Sequence, residues 1–583
     1  MFQIRFSALL RHSASIRAIS LFGFIAVMAV AGLANRIPER LTYTGDEPRY
    51  LLYSLSFALQ GVPVMTEAGY EEFRKLDKPG IHVTQYSLRD IQGESRTPGH
   101  SIILSLLLAP VSAIWPLERI RLISLFFGVI GLCFLAKLIL KQTTRIWSAI
   151  ACFAPAALCL PALPFQFLAL PEIFLFALVS IAFWNLCSTQ GDRLRLYLPS
   201  ILCSCFAPFL HLRGLALFGT VGACLFLRLV LTDNRPRPWR SVVILCSVYL
   251  LDLALVLFFN WAVTGGMLGS VSGIRPVWNV MMLERMFIDF RFGLLTYSPI
   301  WLLSFSGLLA ALWKRRRWTV PSVIFLLALV WTSTGIPGEC YPARFWVQAV
   351  PVLALCLLGF VQGALARPIK VLIYGALFAV SLANSLLFFT EPDFHLAARS
   401  GAYPYDRLFE IFPRLHLGFW IDVFDSSHVR TGMVCFCLIA VILFAVASAV
   451  RSKVGAALAV VVLIIGFEAH RASPLKVSSR VEGGVAIALV AKIPRVAHVP
   501  IRLRVLGPWR EDMGGRVSEV IDGERRWKAP VTSAALLYYR EENADVPILV
   551  HVESPPGSDV GEAAIDAQEF QAVACRSLLA RFW

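Results

Sequence analysis

Long, continuous apolar runs dominate this chain. They fall near residues 18–35, 121–140, 147–167, 173–188, 197–211, 214–231, 240–262, 294–313, 319–336, 345–363, 369–390, 431–450 and 453–467. A run of about 20 apolar residues crosses the hydrocarbon core of a bilayer as a helix. Lipid offers the backbone no hydrogen-bond partners, so helices must satisfy themselves. The runs do not alternate, which excludes the strand pattern. They predict an α-helical polytopic membrane domain over residues 1–467, with about thirteen transmembrane helices. A further run, Ile102 to Trp115, opens with "TPGH" and is short. It predicts a re-entrant or interfacial helix.

The pattern changes after the last run. Residues 468–583 are polar, and "VAIALVAK", "IRLRVLG" and "VPILVHVES" are β-branched and partly alternating, with Gly and Pro clusters between them. This predicts a small β-rich domain.

The basic residues orient the helices. Short cytoplasmic loops carry the Lys and Arg. With 102–115 left out of the spans, "KLILKQTTR", "GDRLR", "RLVLTDNRPRPWR", "KRRRW", "ARPIK" and "VRSK" all fall on one side, together with the basic N-terminus. The N-terminus is then cytoplasmic and the 468–583 domain extracytoplasmic. The first run ends in "AVAGLA", as a signal peptide does. Its length favours a retained anchor.

Composition agrees with this picture. Of 583 residues, 57% are hydrophobic and 16% charged, and the mean hydropathy is +0.67. A soluble domain carries about a quarter charged residues. The net charge of +16 follows from topology and anionic headgroups, so no nucleic-acid partner is needed. Most of the thirteen cysteines lie in apolar runs, where they act as small hydrophobes, and no pair has metal-ligand spacing. No P-loop and no glycine-rich dinucleotide fingerprint is present.

The remaining polar features collect on the outer side. The first outer loop, 36–120, holds Asp46, Glu47, Arg49, Tyr50, Arg96 and His100. Later tips hold Glu172 in "FLALPEIFLF", His211 and Arg213 in "HLRG", Arg275 in "SGIRPVW" and Arg344 in "YPARFW". Singly, each has a plain structural reading. Glu172 follows Pro171 at a helix start, where a carboxylate helps satisfy open N–H groups. His211 and Arg213 suit an interfacial anchor. Together, carboxylates and arginines at a membrane face suit deprotonation of a hydroxyl and departure of a phosphate.

Three motifs in order carry a family resemblance: "GDEPRYL", "SRTPGHSIILSLLLAP" and "LPE". The chain resembles the GT-C glycosyltransferases, especially the protein O-mannosyltransferases and the bacterial lipid A aminoarabinose transferases. The likeness covers about residues 18–190 and extends more loosely to 360 through "DFRFGLLTYSPIWLL" and "YPARFWVQAVPVL". Glu172 stands where relatives usually have Asp, Pro48 follows the acidic pair, and the C-terminal domain matches no part of the family.

The resemblance implies an inverting glycosyltransferase with a polyprenyl-phosphate sugar as donor. The acceptor would be an envelope glycan, lipid or protein hydroxyl, and the site would be the bacterial inner membrane. Asp46 would be the base, Glu47 would orient it or bond the sugar or acceptor, and Glu172 would hold the acceptor. Arg96, Arg213, Arg275 and Arg344 would meet the donor phosphate. Arg49, Tyr50, His100 and His211 would line the acceptor or sugar. No cofactor is certain. Relatives differ on metal use, so a Mg or Mn ion shared by Asp46 and Glu172 stays open. The rival class is a transporter or flippase of a lipid-linked glycan. It expects paired internal repeats, and no convincing repeat is visible in the sequence.

Overall fold

The computed structural model describes residues 47–61, 66–74, 102–114, 117–191, 193–231, 238–264, 286–287, 293–333, 343–363, 367–390 and 441, with strands between 472 and 570. Helices α1 (Glu47–Gln60), α2 (Glu67–Arg74) and α3 (Ile103–Ser112) precede α4 (Leu117–Gln142), α5 (Ile146–Leu158) and the single turn α6 (Ala162–Phe165). Next come α7 (Pro171–Ser188), α8 (Leu198–Leu210), α9 (Leu215–Leu231) and α10 (Pro238–Thr264). The last are α11 (Leu294–Tyr297), α12 (Leu302–Trp313), α13 (Thr319–Thr332), α14 (Val350–Val361) and α15 (Arg367–Thr390).

Among the described residues, six helical segments are long and apolar enough to cross a membrane, as a multi-pass membrane protein requires: Ile120–Gln142, Pro171–Ser188, Leu212–Leu231, Trp239–Ala262, Arg344–Val361 and Arg367–Leu386. The ten-residue α3 is too short to do so. The expected spans at 18–35 and 453–467, and all of 431–450 except Val441, lie outside the described residues.

Two runs expected as single spans are broken. The run 147–167 stops at Leu158 and resumes only as α6, with Pro161 and Pro164 at the break. The run 294–313 breaks around Ser298 and Pro299. Proline removes a donor and its ring obstructs the preceding turn. The freed backbone groups then need other partners inside an apolar layer. One face of α15 supplies most of them. Ser385 Oγ accepts from the Leu160 N–H (2.9 Å), and Ser381 Oγ accepts from the Ile300 N–H (3.1 Å). Asn384 Nδ2 donates to the Tyr297 carbonyl (2.9 Å). Trp301 Nε1 donates to the Leu160 carbonyl (2.9 Å), which joins the two breaks.

Helices α12 and α14 cross at a pair of glycines. A Cβ on Gly307 would collide with the Cys356 carbonyl, and one on Gly359 with the Gly307 carbonyl. Small residues let membrane helices approach this closely. Gly307→Val should therefore lower the thermal midpoint of the purified protein, at a cost of about 1–3 kcal/mol for overpacking. An unchanged midpoint would mean that the crossing opens without penalty.

Basic side chains stand in the last turns of α4 (Lys141) and α9 (Arg228), at the C-cap of α12 (Lys314), and at the starts of α5 (Arg145), α10 (Arg240) and α15 (Arg367, Lys370). Arg228 donates to the Thr189 carbonyl (3.4 Å) and stacks on Tyr197. Lys370 Nζ donates to the Val361 and Gly363 carbonyls (2.8 and 3.0 Å), a cationic cap on the C-terminus of α14. The exposed Lys137 extends over Phe134 and Trp184, its ammonium 4.8 and 5.7 Å from the ring centres. That is how a long cation reaches an interface along apolar surface.

Between 472 and 570 the described segments are strands β1 (Ala472–Pro474), β2 (Val477–Glu482), β3 (Val485–Val490), β4 (Ile501–Leu506), β5 (Arg516–Asp522), β6 (Arg525–Thr532), β7 (Ala534–Leu537), β8 (Ile548–Glu553) and β9 (Ala564–Phe570). They pair antiparallel in two sheets, ordered β1-β9-β4-β7 and β2-β3-β8-β5-β6.

Candidate functional site

The acidic motif of the first loop opens α1. Glu47 sits in the first turn, where a carboxylate complements the helix dipole. It is fully buried, and both its oxygens are engaged. Arg121 Nε donates to Oε1 (2.8 Å) and Arg121 Nη2 to Oε2 (2.7 Å). This is the bidentate fork that makes guanidinium–carboxylate pairs strong. A third donor, the Ala169 N–H, reaches Oε1 at 2.8 Å.

That third bond comes from the second acidic motif, and the local sequence explains it. Pro171 takes the first position of α7, which its fixed φ suits. Proline also holds the preceding residue extended, and Leu170 is so (φ −121, ψ 147). The Ala169 N–H, just upstream, therefore lies outside any helical ladder, and Glu47 accepts it. "GDEP" and "LPE" are joined by one hydrogen bond.

Glu172 in the first turn of α7 is the centre of a second cluster. Arg344 Nε donates to its Oε1 at 2.6 Å, and Arg213 Nη2 approaches the same oxygen at 3.2 Å. All three side chains are buried. Glu172 Oε2 is also buried, yet it has no hydrogen-bond partner among the described residues. The helix-cap reading of Glu172 is thus incomplete: its carboxylate faces two guanidiniums.

Backbone turns aim the arginines. Arg213 follows the sharp turn of "HLRG", where His211 Nδ1 accepts the Arg213 N–H (3.1 Å). A Cβ at Gly214 would run into the Ala207 carbonyl, so the turn needs glycine. His211 Nε2 lies 3.4 Å from Arg213 Nη2. The Arg213 guanidinium also stacks 4.2 Å from the centre of the Phe345 ring, a cation–π contact. Arg344 follows Ala343, which adopts the left-handed backbone conformation (φ 58). Such residues are uncommon outside glycine and concentrate at functional sites.

The structure therefore brings Glu47, Glu172, His211, Arg213 and Arg344 to one end of the helices. Tyr50 is buried and Arg49 half-buried, both on α1. Asp46, Arg96, His100 and Arg275 lie outside the described residues. The sequence reading missed Arg121, taken there as the edge of an apolar run. A lone arginine at the head of a hydrophobic helix needs a partner, and that was the available signal. It also missed Gln166, buried four residues before Leu170, whose amide has no partner among the described residues.

The chemistry of Glu172 bears on metal binding. Two guanidiniums already crowd one oxygen, and a divalent cation beside them would meet repulsion. The described part of this site does not fit a metal ion.

Compared with known proteins, the chain matches no family model, no curated protein and no solved structure.

Proposed function

We propose that the chain is a GT-C-type glycosyltransferase of the bacterial inner membrane. It transfers a sugar from a polyprenyl-phosphate donor to an acceptor hydroxyl on the extracytoplasmic face. In this reading the N-terminus is cytoplasmic, the membrane domain has about thirteen spans, and 468–583 is an extracytoplasmic β-rich domain. The observation that carries the proposal is the junction of the two acidic motifs. Glu47 holds the Ala169 N–H, three residues before Glu172, so motifs distant in sequence form one polar site.

In the reaction, Asp46 takes the proton of the acceptor hydroxyl. The hydroxyl oxygen bonds to the anomeric carbon from the face opposite the donor phosphate. The bond from that carbon to the phosphate oxygen breaks, and polyprenyl phosphate leaves with the electron pair. Configuration inverts. Glu47, with both oxygens engaged, is a positioning residue for its neighbour Asp46. Glu172 Oε2, an open buried acceptor, suits a hydrogen bond from a sugar or acceptor hydroxyl. An unmet buried acceptor costs free energy until such a donor arrives. Arg213 and Arg344 border that place, where fixed cations stabilise charge developing on phosphate. Arg96 and Arg275 complete the set by sequence alone.

The transporter reading draws on the two helix breaks, since transporters bind ions at interrupted helices. Here Leu160, Tyr297 and Ile300 already have protein partners at those breaks.

The test is transfer of radiolabelled sugar from a mixed pool of polyprenyl-phosphate sugars into membrane fractions. Wild type should label an acceptor, and Asp46→Asn should not, while remaining in the membrane. Equal labelling by both would overturn the role of Asp46. No labelling by either would shift the reading to transport.

A further inference from the structure

At the end of the helices opposite the candidate site, Arg145, Lys314 and Lys370 meet no carboxylate among the described residues. We infer that Arg145, Lys314 and Lys370 form a headgroup site for an anionic phospholipid. The inference rests on the chain being a membrane protein and is independent of glycosyl transfer.

The three cations come from three helices that packing holds together. Arg145 is the extended residue before α5, Lys314 is the C-cap of α12, and Lys370 lies in the first turn of α15. Lys370 is anchored by its bonds to the Val361 and Gly363 carbonyls. Tyr374, one turn further along α15, donates to the Ala151 carbonyl of α5 (2.8 Å). The Gly307–Gly359 crossing fixes α12 against α14. Helices α5 and α12 both pack on α14, which brings Arg145 and Lys314 to the end of the helices that Lys370 caps. Among the described residues no carboxylate pairs with any of the three. Like charges brought together without an acid are costly, and a phosphate would relieve that cost.

The surroundings identify the phosphate as that of a lipid. Trp147 and Trp313, each within two residues of a cation, are 75% and 79% exposed. Tryptophan concentrates at the headgroup level of membranes. Val371 and Leu372, next to Lys370, are 62% and 73% exposed, an apolar surface that acyl chains would cover. The first turn of α5 has no side-chain cap, so its N–H groups open toward the same end. Basic pockets between membrane helices take anionic headgroups by this chemistry.

The test is native mass spectrometry of the full-length protein in detergent, titrated with phosphatidylglycerol or phosphatidylcholine. Wild type should bind phosphatidylglycerol preferentially. The double variant Arg145→Gln, Lys314→Gln should bind it about thirtyfold more weakly, from the loss of two surface cations. Its binding of phosphatidylcholine should not change. Lys370 is left in place because it caps α14. The charge-preserving pair Arg145→Lys, Lys314→Arg should keep the wild-type preference and serves if the neutral variant does not fold. Equal affinity for the two lipids, or wild-type phosphatidylglycerol affinity in the neutral variant, overturns the site. Displacement of the lipid by equimolar inorganic phosphate would overturn its assignment to a lipid.

Discussion

Arg121→Leu should be among the most damaging single substitutions in the described part of this protein. The change strips two charge-assisted bonds from Glu47 and leaves a carboxylate buried with only the Ala169 N–H. Removing one member of a buried ion pair costs about 3–5 kcal/mol, mostly because the other charge stays behind. The readout is the fraction of monodisperse protein after extraction and its thermal midpoint. The double variant Glu47→Gln, Arg121→Leu is the informative partner. Gln keeps an acceptor for Ala169 while removing the charge, and neutral replacements of a buried pair are often tolerated. Stability should recover in the double variant. Under the proposed reaction, transfer should not, because Asp46 would lose the charged neighbour that orients it. If the single variant is as stable as wild type, the pair is not a structural tie. If the double variant transfers normally, Glu47 does not position the base.

Arg344→Met should rank with it. Arg344 makes the shorter of the two contacts to Glu172 Oε1, 2.6 Å against 3.2 Å for Arg213. Its loss leaves Glu172 with one guanidinium, that of Arg213, at 3.2 Å and stacked on Phe345. A destabilisation of about 3–5 kcal/mol is expected from the truncated pair. Arg344→Lys should restore only part of it, since an ammonium lacks the planar guanidinium geometry. Glu172→Gln combined with Arg344→Met should regain stability. Under the proposed reaction it should still lose transfer, with the loss in kcat if the cation acts on the leaving phosphate. Full transfer by that double variant would remove both residues from the reaction.

Much of this site was legible in the sequence, for a definite reason. Glu172, His211, Arg213 and Arg344 sit at the tips of apolar runs, and the alternation of basic loops places those tips on one side. A shared side allows them to meet. It does not set who pairs with whom. Arg213 and Arg344 read as open cations for phosphate, and the fold shows both turned to Glu172. Arg121 escaped notice because one charge barely dents the hydropathy of a long run. The helix breaks left a trace in "LPALPF" and "YSPIW", but run length outweighed the prolines there. Their partners on α15 are serines and an asparagine spaced for one helix face, a pattern that means little until the breaks are known. The acidic residue ahead of Glu47 and the basic one before Pro98 stay with the sequence argument, outside the described residues.

The α15 stripe also sets an order of events during synthesis. Ser385, which takes up the Leu160 N–H, follows it by 225 residues. At translation rates of about 5–20 residues per second, roughly 10–45 s separate the two. Through that interval the proline-broken segment after α5 cannot have its final partner. It must wait at the insertion machinery, stay near headgroup water, or borrow a temporary donor and acceptor. Early helices of this protein are thus completed only when a late one arrives.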